Sequence, residues 1–458
     1  MSLSIKWIEL IGLRGFSKIG HIDLGIPNGK TGSGLTVIIG PNNSGKTTIT
    51  EAFNALSKNR ISFSEDKRNK LAQDRVEIYI MNNNNEKKGI QTIEPGSSEV
   101  EWIKENVEPL LTDIYVLPSR RTLNPFFPKD YMTRESYITS FGYSTIRPRE
   151  INEFFRRLFS VIKNKETKRS FNDVLAKILN PLPDWTIDQS GHGDYFLKFR
   201  YDKIYHNSDG LGEGIISLFF IVDALYDSKE NQIIVIDEPE LSLHPSLQKK
   251  LAMLFSEYTK DRQIILATHS TNFINWDSII NGAKIIRTVR ESEGIYIFHL
   301  REETVSRIDR LIKDINNPHI LGQDAKEIFF LEDNVVLVEG QEDVIFYKKI
   351  LNLLEMDING EFFGWGVGGA GNMEAISKLL NDLGFKKVTG ILDSGEERKY
   401  KELKRDFPDY RFFISPAEDV RTKEAKIGII DENGNIRNEY KEGIRNIFLN
   451  INSYFQSS

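Results

Sequence analysis

The sequence predicts an α/β fold with two separate sheets, and three observations support this prediction. A glycine-rich loop, residues 40–47, lies between a short apolar run and a helical stretch. Two further apolar runs, residues 233–236 and 263–267, flank a helical stretch at residues 245–258. This alternation of strand, helix and strand is typical of a parallel sheet. A second alternation of the same kind begins at Val335.

Length and composition are those of a globular protein and exclude several kinds of site. The chain has 458 residues, 40 % of them hydrophobic, so it can bury large cores and form about two or three domains. It has no cysteine, which excludes disulfide scaffolds, thiolate zinc sites, iron–sulfur clusters and cysteine nucleophiles. Its 60 basic and 66 acidic side chains give a net charge of −6, which still allows a local basic groove.

Neither a membrane span nor a secretion signal is expected. The most apolar long stretch, residues 215–225, includes Asp223 and is far shorter than the roughly 20 residues that cross a bilayer. Residues 1–6 lack the charged region followed by an apolar core that marks a signal peptide. We therefore expect a cytoplasmic protein with no membrane partner.

Hydrophobic patterning predicts the individual elements. Short apolar or β-branched runs predict strands at residues 5–11, 35–39, 115–117, 233–236, 263–267, 335–338, 388–392 and 411–414. Longer stretches predict helices at residues 47–56, 150–163, 171–179, 209–225, 245–258, 343–354, 373–383 and 398–407.

Two less regular regions divide the chain into predicted domains. A helical or dimerisation insertion is expected at about residues 122–190, within a first domain at residues 1–304. A charged helical connector is expected at residues 305–330, followed by a second domain at residues 331–458. The polar residues 82–88 predict a loop.

The glycine-rich loop matches the phosphate-binding pattern GxxxxGK[ST], in the required position between a strand and a helix. Its glycines allow backbone conformations that a side chain would forbid, so successive N–H groups can surround phosphate oxygens at a helix N-terminus. The lysine is expected to reach the terminal phosphates of ATP, and the following threonine to coordinate Mg²⁺. The predicted nucleotide-binding residues are Gly40, Pro41, Asn42, Asn43, Ser44, Gly45, Lys46, Thr47 and Thr48.

Two later strands are expected to complete this site. The run 233–236 leads into Asp237 and Glu238, at the carboxyl edge where open α/β sheets bind ligands. We expect Asp237 to hold Mg²⁺, directly or through water, and Glu238 to act as the general base that polarises the attacking water. A solvated acidic turn is the alternative. His269 follows the strand at 263–267 and either contacts the γ-phosphate or is merely packed.

These motifs, with Leu-Ser-Leu-His-Pro at residues 241–245, resemble the ABC-type ATPase head of structural-maintenance and recombination-repair proteins. In that family a glycine-rich signature of one subunit completes the nucleotide site of another, which implies a homodimer or higher oligomer. Residues 208–214 lie at the matching place but depart from the LSGGQ pattern. Gly212 and Gly214 are the candidate nucleotide-binding residues, Glu213 is a weaker one, and a plain helix cap is the alternative.

A second set of acidic residues follows the C-terminal strands. Glu339 follows strand 335–338 and Asp393 follows strand 388–392, so a parallel sheet would bring both carboxylates to one edge. Clustered carboxylates bind Mg²⁺ through oxygen, and the metal can activate water for phosphodiester cleavage. Strand-end acids without a metal are the alternative.

This arrangement resembles a Toprim domain, the metal-binding module of topoisomerases, primases and some nucleases. The resemblance implies that Glu339 is a general acid–base or a metal ligand and that Asp393 is a metal ligand. Asp343 is included among the predicted ligands.

One position departs from the Toprim pattern, which expects Asp-x-Asp. Residues 393–396 read Asp-Ser-Gly-Glu, with glycine in place of the second aspartate. Glu396 is therefore predicted to substitute as a ligand, with Glu418 or Asp419 as alternatives. Otherwise the metal site is impaired.

An ABC-type head followed by a Toprim domain is the arrangement of the overcoming-lysogenization-defect (OLD) family of ATP-dependent nucleases. The implied fold is a P-loop ABC-type ATPase with a helical insertion, followed by a Rossmann-like Toprim α/β domain. Members include anti-phage effectors, some encoded beside retrons. The resemblance implies an ATP-gated DNA endonuclease that uses Mg²⁺ or Mn²⁺, with a further partner protein or RNA of a defence system as an option.

The sequence also allows two alternative functions and contains two basic stretches that could contact DNA. One rival is an ATPase sensor or scaffold with an inactive Toprim domain that controls a separate toxic partner. The other, an SMC-like repair ATPase, is disfavoured because no long heptad arm interrupts the head. Residues 156–169, with six basic side chains and one acidic, and residues 119–121 are candidate DNA contacts or solvated faces.

Overall fold

The computed structural model describes residues 4–57, 61–103, 114–119, 129–134, 136, 154–201, 204–207, 213–313, 333–423 and 426–457. Contacts between residues divide the chain into a first unit, Met1–Ile297, and a second unit, Phe298–Ser458. Several predicted features lie outside the described residues: Arg120, Arg121, most of the segment 122–153, Gly212, and residues 314–330 of the connector. The predicted domain boundaries therefore stay predictions.

The first unit combines parallel and antiparallel strands. Its strands are β1 (Ile5–Ile11), β2 (Gly20–Asp23), β3 (Leu35–Ile39), β4 (Glu77–Asn82), β5 (Lys87–Thr92), β6 (Val100–Ile103), β7 (Ile114–Leu117), β8 (Asp184–Gln189), β9 (Tyr195–Tyr201), β10 (Ile204–Asn207), β11 (Ile233–Asp237), β12 (Gln263–Ala267), β13 (Lys284–Glu291) and β14 (Gly294–His299). Its helices are α1 (Lys46–Leu56), α2 (Phe154–Lys163), α3 (Lys165–Ala176), α4 (Glu213–Tyr226), α5 (Pro245–Tyr258) and α6 (Trp276–Ile280), with 3₁₀ turns at Lys70–Ala72 and Thr271–Phe273.

A six-stranded sheet positions the nucleotide motifs. Its order is β14-β13-β3-β12-β11-β7, and the neighbours from β13 to β7 pair in parallel. Strands β3, β11 and β12 are buried at every position, in keeping with their mostly apolar sequences. Because these strands run in the same direction, the loops that follow them emerge at one edge of the sheet.

A five-stranded antiparallel sheet, of order β2-β1-β4-β5-β6, packs against α1 and the parallel sheet. The core between them includes Ile8, Phe53, Ile78, Val235 and Ile265. The predicted loop at 82–88 is too long, because Asn82 ends β4 and Lys87 begins β5. The Asn82 side chain accepts hydrogen bonds from the backbone N–H groups of Asn84 and Glu86, both at 2.9 Å, and so closes a tight hairpin.

The predicted helical insertion is only partly helical where it is described. Helices α2 and α3 are followed by an antiparallel sheet of order β10-β9-β8, and β8 begins at Asp184 within the predicted insertion. An aromatic cluster joins this sheet to α3 and α4 through ring contacts between Phe171, Trp185, Phe199 and Phe219. Sequence patterning missed the sheet because its strands carry mixed polar and apolar residues.

The second unit contains a parallel sheet covered by helices. Its strands are β15 (Val335–Leu337), β16 (Glu361–Phe362), β17 (Val388–Leu392), β18 (Arg411–Ile414), β19 (Asp419–Arg421) and β20 (Gly428–Ile430). Its helices are α7 (Glu302–Lys313), α8 (Gln341–Leu353), α9 (Met373–Asp382), α10 (Glu397–Asp406) and α11 (Asn438–Gln456), with a 3₁₀ turn at Ala370–Asn372.

The main sheet of the second unit has the order β16-β15-β17-β18, with all neighbours parallel. Helix α11, which the sequence analysis missed, adds Ile444, Phe448 and Ile451 to the core that contains Val338 and Ile391. The two units confirm the predicted α/β fold class. Within the described ranges, no helix is both long and apolar enough to cross a membrane.

Arg157, one of the predicted DNA contacts, is instead part of the interior of the first unit. Its Nε donates to Asp223 Oδ1 at 3.0 Å, and its Nη2 donates to Tyr226 Oη at 2.6 Å and to Asp227 Oδ2 at 2.8 Å. The side chains of Arg157 and Asp223 are 6 % and 1 % exposed. The prediction of DNA contact is therefore wrong for Arg157, which joins α2 to α4.

Because Asp223 neutralises a buried guanidinium, we expect Asp223→Asn to lower the free energy of unfolding by about 3 kcal/mol. Asp227→Asn is a matched control, because the Asp227 side chain is 44 % exposed, and it should cost no more than about 1 kcal/mol. Guanidinium unfolding of the full chain measures both variants. Equal losses in the two variants would contradict this role of Asp223.

Candidate functional sites

The phosphate-binding loop has the backbone that its glycines were predicted to allow. Gly40, Asn43 and Gly45 have φ angles of 144°, 61° and 95°. A Cβ at Gly40 would overlap the backbone oxygen of Thr288, so glycine is required there on steric grounds as well. A 2.7 Å hydrogen bond between the hydroxyls of Ser44 and Thr288 joins the loop to strand β13. Helix α1 then begins at Lys46 and presents its N-terminal N–H groups to the loop.

Lys46 is folded over this loop. Its Nζ donates to the carbonyl oxygens of Gly40 at 2.9 Å and Pro41 at 2.8 Å. Burial lowers the pKa of Lys46 to about 8, although the nearby charges of Asp237 and Glu238 oppose the shift. A buried ammonium that donates hydrogen bonds to carbonyl oxygens and is only partly compensated by nearby carboxylates is well suited to bind a phosphate.

The structure brings Thr47 and Asp237 together, as the sequence predicts for the magnesium site of a nucleotide. Thr47 Oγ1 lies 3.5 Å from Asp237 Oδ1, and Asp237 is buried at the end of β11. A hydroxyl and a carboxylate are hard oxygen donors that fit Mg²⁺. Thr48, also predicted to bind nucleotide, is buried in α1, whereas Asn42 is exposed.

Glu238 and His269 lie at the same edge of the sheet. Glu238 has a left-handed backbone, with φ 49°, and its N–H donates to the Ala267 oxygen at 2.7 Å. Such a conformation is strained for a residue with a side chain and is often found at functional sites. Burial, followed by the positive charge of Lys46, lowers the pKa of His269, so its ring is neutral at neutral pH.

Glu240 is a half-buried member of this site that the sequence analysis missed. Its two carboxylate oxygens accept hydrogen bonds from the Thr268 hydroxyl at 2.7 Å and from the His269 N–H at 2.6 Å. Burial raises the pKa of Glu240. In the sequence, the one feature that could have pointed to Glu240 is its position two residues after Glu238.

The described part of the glycine-rich signature makes contacts within its own chain. A Cβ at Gly214 would overlap the backbone oxygen of Ser242. The Ser242 hydroxyl also donates to Glu213 Oε2 at 3.3 Å. This close approach explains a glycine at position 214 by packing. A nucleotide-binding role for Gly212 and Gly214 stays a prediction.

In the second unit, Glu339 and Asp393 meet at the edge of the sheet as predicted from their strands. The Asp393 N–H donates to Glu339 Oε1 at 3.0 Å. The Ala370 N–H donates to the same carboxylate, while the Gly369 N–H donates to the Glu339 backbone oxygen at 2.8 Å. Burial raises the pKa of Glu339, and the charge of Glu396 adds to the rise.

Asp343 and Asp393 are crowded by other carboxylates. Burial raises the pKa of Asp393 to about 7, with further contributions from Glu339, Asp343 and Asp419. Burial likewise raises the pKa of Asp343 to about 6, with contributions from Glu339 and Asp419, although its Oδ2 accepts a 2.7 Å hydrogen bond from the Gly340 N–H. These acids therefore form one electrostatic group.

Asp419, rather than Glu418, joins this group. Asp419 is buried, whereas the neighbouring Glu418 is exposed. Lys423 Nζ donates to Asp419 Oδ2 at 2.8 Å, and the charge of Lys426 lowers the pKa of Glu339 and Asp393. The sequence analysis missed both lysines, since no motif marks them.

The donor set fits a divalent metal ion in its chemistry. Within the described ranges, no three histidine or acidic side chains are placed closely enough to hold a metal as they stand. Nevertheless, crowded carboxylates with raised pKa values are hard oxygen donors whose mutual repulsion a divalent cation would relieve. The space around Gly395 is open, so the missing second aspartate does not result from crowding.

Residues 35–275 match the protein family described as "AAA domain, putative AbiEii toxin, Type IV TA system". The chain is 29 % identical over 177 residues to the OLD nuclease of Thermus scotoductus, covering 36 % of this chain and 32 % of that protein. It is 26 % identical over 219 residues to the endonuclease GajA of Bacillus cereus, covering 46 % of this chain and 34 % of that protein. These matches span about a third of each nuclease.

Two further proteins are similar over a larger part of their length. The Septu protein PtuA of Bacillus thuringiensis is 25 % identical over 298 residues, covering 58 % of this chain and 73 % of that protein. The solved Smc head domain from Pyrococcus furiosus is 15 % identical with a TM-score of 0.43, covering 68 % of this chain and all of that chain.

A Toprim identity for the second unit stays a prediction. The first unit can be assigned to a family, because the family match covers more than half of the chain. The match includes the loop 40–47, Asp237 and His269. The chain therefore belongs to this AAA-domain family, in agreement with the predicted ATPase domain, and it is similar to part of the OLD nuclease and of the endonuclease GajA.

Proposed function

We propose that the chain is an ATP-gated DNA endonuclease that requires Mg²⁺ or Mn²⁺ and acts in defence against phage. The observation that carries this proposal is the crowded carboxylate group at the edge of the second sheet, where the pKa of Asp393 is raised to about 7. Strongly shifted acids at a strand edge are typical of functional sites. The names OLD nuclease and endonuclease, borne by two relatives, support the same activity.

In this proposal Glu339, Asp343 and Asp393 hold the metal ion, and Asp419 or Glu396 completes the set. When bound, the metal supplies Lewis-acid activation of water and of the scissile phosphate. The protein orients its ligands through backbone N–H groups: those of Asp393 and Ala370 fix Glu339, and that of Gly340 fixes Asp343. Glu339 is the proposed general acid–base.

The proposed gate is the nucleotide site of the first unit. Lys46 binds the terminal phosphates of ATP, Thr47 and Asp237 hold its Mg²⁺, and Glu238 orients the attacking water beside neutral His269. A second copy of the chain supplies the glycine-rich signature, so ATP promotes a homodimer or higher oligomer. In this proposal, that association controls DNA cleavage.

A second candidate is an ATPase sensor or scaffold that controls a separate toxic protein or RNA. Gly395 in place of an acidic ligand favours it, as does the lack of a ready three-ligand group in the described part of the chain. The match to the Septu protein PtuA, which covers 73 % of that protein, also supports a role within a larger defence system.

Plasmid cleavage with Mg²⁺ or Mn²⁺, with and without ATP, tests the endonuclease proposal directly. Glu339→Gln should reduce cleavage by at least about 100-fold, because it removes a charge from the reacting site. Lys46→Ala should reduce ATP hydrolysis by a similar factor, and its cleavage in the presence of ATP shows whether nucleotide controls the nuclease.

Glu361→Gln is the matched control for Glu339→Gln, because Glu361 is an exposed glutamate on the neighbouring strand β16. It should leave cleavage unchanged. Intact plasmid with the wild-type protein, under conditions in which ATP is hydrolysed, would reject the endonuclease and favour the sensor or scaffold.

The raised pKa of Asp393 predicts a pH-dependent stability. Between its ordinary value of 3.8 and about 7, the unfolded chain has lost this proton and the folded chain retains it. Without metal, this group therefore makes the fold less stable as pH rises through that window. We expect Asp393→Asn to raise the unfolding midpoint at about pH 8, by an amount that shrinks towards about pH 5.

In the same measurement, bound metal should make the unfolding midpoint of the wild type higher than that of Asp393→Asn. Saturating Mn²⁺ at about pH 8 should raise the unfolding midpoint of the wild type more than that of Asp393→Asn. Asp409→Asn, at an exposed aspartate of the same unit, should follow the wild type throughout. A metal effect of equal size in wild type and Asp393→Asn would exclude Asp393 as a ligand.

A further inference from the structure

An open groove of about 720 Å³ lies along helix α10. It begins at Ser394 and Gly395, the two residues that directly follow Asp393. A molecule that lies in this groove therefore contacts the loop that directly follows Asp393.

Three cations line the groove: Arg398, Lys401 and Arg405. Their spacing of three and four residues places them on one face of α10. At about 1.5 Å per residue they span about 10 Å along the helix. That length is comparable with the distance covered by a few successive phosphates of one DNA strand.

The acidic residues near the groove pair only weakly with these three cations, which leaves the cations available to bind phosphate. Arg398 Nε lies 3.1 Å from Glu402 Oε1 and Arg405 Nε lies 2.8 Å from Asp406 Oδ1, but the arginine side chains are 93 % and 74 % exposed. Such solvent-exposed pairs are weak and are screened by salt. Lys401 is exposed and forms no ion pair with any residue that the structure describes. Glu397 is the remaining acidic residue of the lining.

We infer that this groove binds the phosphate backbone of one DNA strand and guides it to the carboxylate group. The inference rests on the proposed endonuclease function, for which it names a substrate path. Cations distributed along a helix face fit an extended polyanion better than a compact mononucleotide. Since these side chains are suited to phosphates rather than to base edges, the groove should bind without sequence preference.

Fluorescence anisotropy of labelled oligothymidylate, measured with the full chain in EDTA over a range of salt concentrations, tests the inference. Lys401→Gln combined with Arg405→Gln removes two phosphate contacts. The slope of log affinity against log salt should fall by about 1.4, at about 0.7 per contact. If those contacts act by counterion release alone, affinity at about 0.1 M salt falls by about 25-fold.

Lys404→Gln combined with Lys441→Gln is the control, because it changes the net charge by the same amount. Lys404 lies on α10 with its Nζ 5.8 Å from the centre of the Tyr400 ring, and Lys441 is exposed on α11. The control should keep the wild-type slope. Thermal unfolding of the full chain, compared with the wild type, checks that both double variants are folded.

The two proposals fail in different ways. A wild-type slope in the Lys401/Arg405 variant, or no binding by the wild type, would overturn the groove as a DNA site, whatever the plasmid assay shows. A second outcome is that the Lys401/Arg405 variant loses DNA binding while the wild type leaves plasmid intact. That outcome would support the groove as a DNA-binding site and reject the endonuclease activity.

Discussion

Parallel strands that are buried on both faces can present polar groups to a ligand only at their ends, and the six-stranded and four-stranded sheets of this chain are both built under that constraint. Strands β3, β11, β12, β15 and β17 are buried at every position. A polar side chain within them would lose its hydration without a partner, at a cost of several kcal/mol. Polar and charged residues therefore follow the strands, where the shared direction collects them at one edge.

The two edges hold desolvated charges of opposite sign. At the first, burial lowers the pKa of Lys46; at the second, burial and like charges raise that of Asp393. Each charge is poorly compensated by the protein itself. A triphosphate would supply negative charge at the first edge, and a divalent cation would supply positive charge at the second. The same physical condition thus favours a different ligand at each edge.

The sequence allowed prediction of those elements whose pattern is local. Strands β1, β12, β17 and β18 and helix α5 have the predicted bounds, because each is a short apolar run or a periodic stretch between clear breaks. Strand β4 was missed because it alternates buried and half-buried residues within a polar region.

The site residues likewise fall into two groups: those placed by a local pattern and those placed by tertiary packing. Asp237 ends a buried strand, and Glu339 and Asp393 come one or two residues after buried strands, so the position of each at a sheet edge could be foreseen. Glu240 and Lys426 come into range through the paths of loops, and Arg157 is buried by a partner 66 residues away. Such positions depend on tertiary packing, which no local pattern encodes.

The contact between Gly214 and Ser242 has a mechanical consequence. The start of α4 rests directly on the Ser242 backbone, so neither segment can shift without the other. Leu243 is in turn hydrogen-bonded to the Glu240 backbone at 2.9 Å, and the Glu240 side chain holds the His269 N–H at 2.6 Å. The start of α4 is thus connected to His269, at the same sheet edge as Glu238, through a continuous series of contacts.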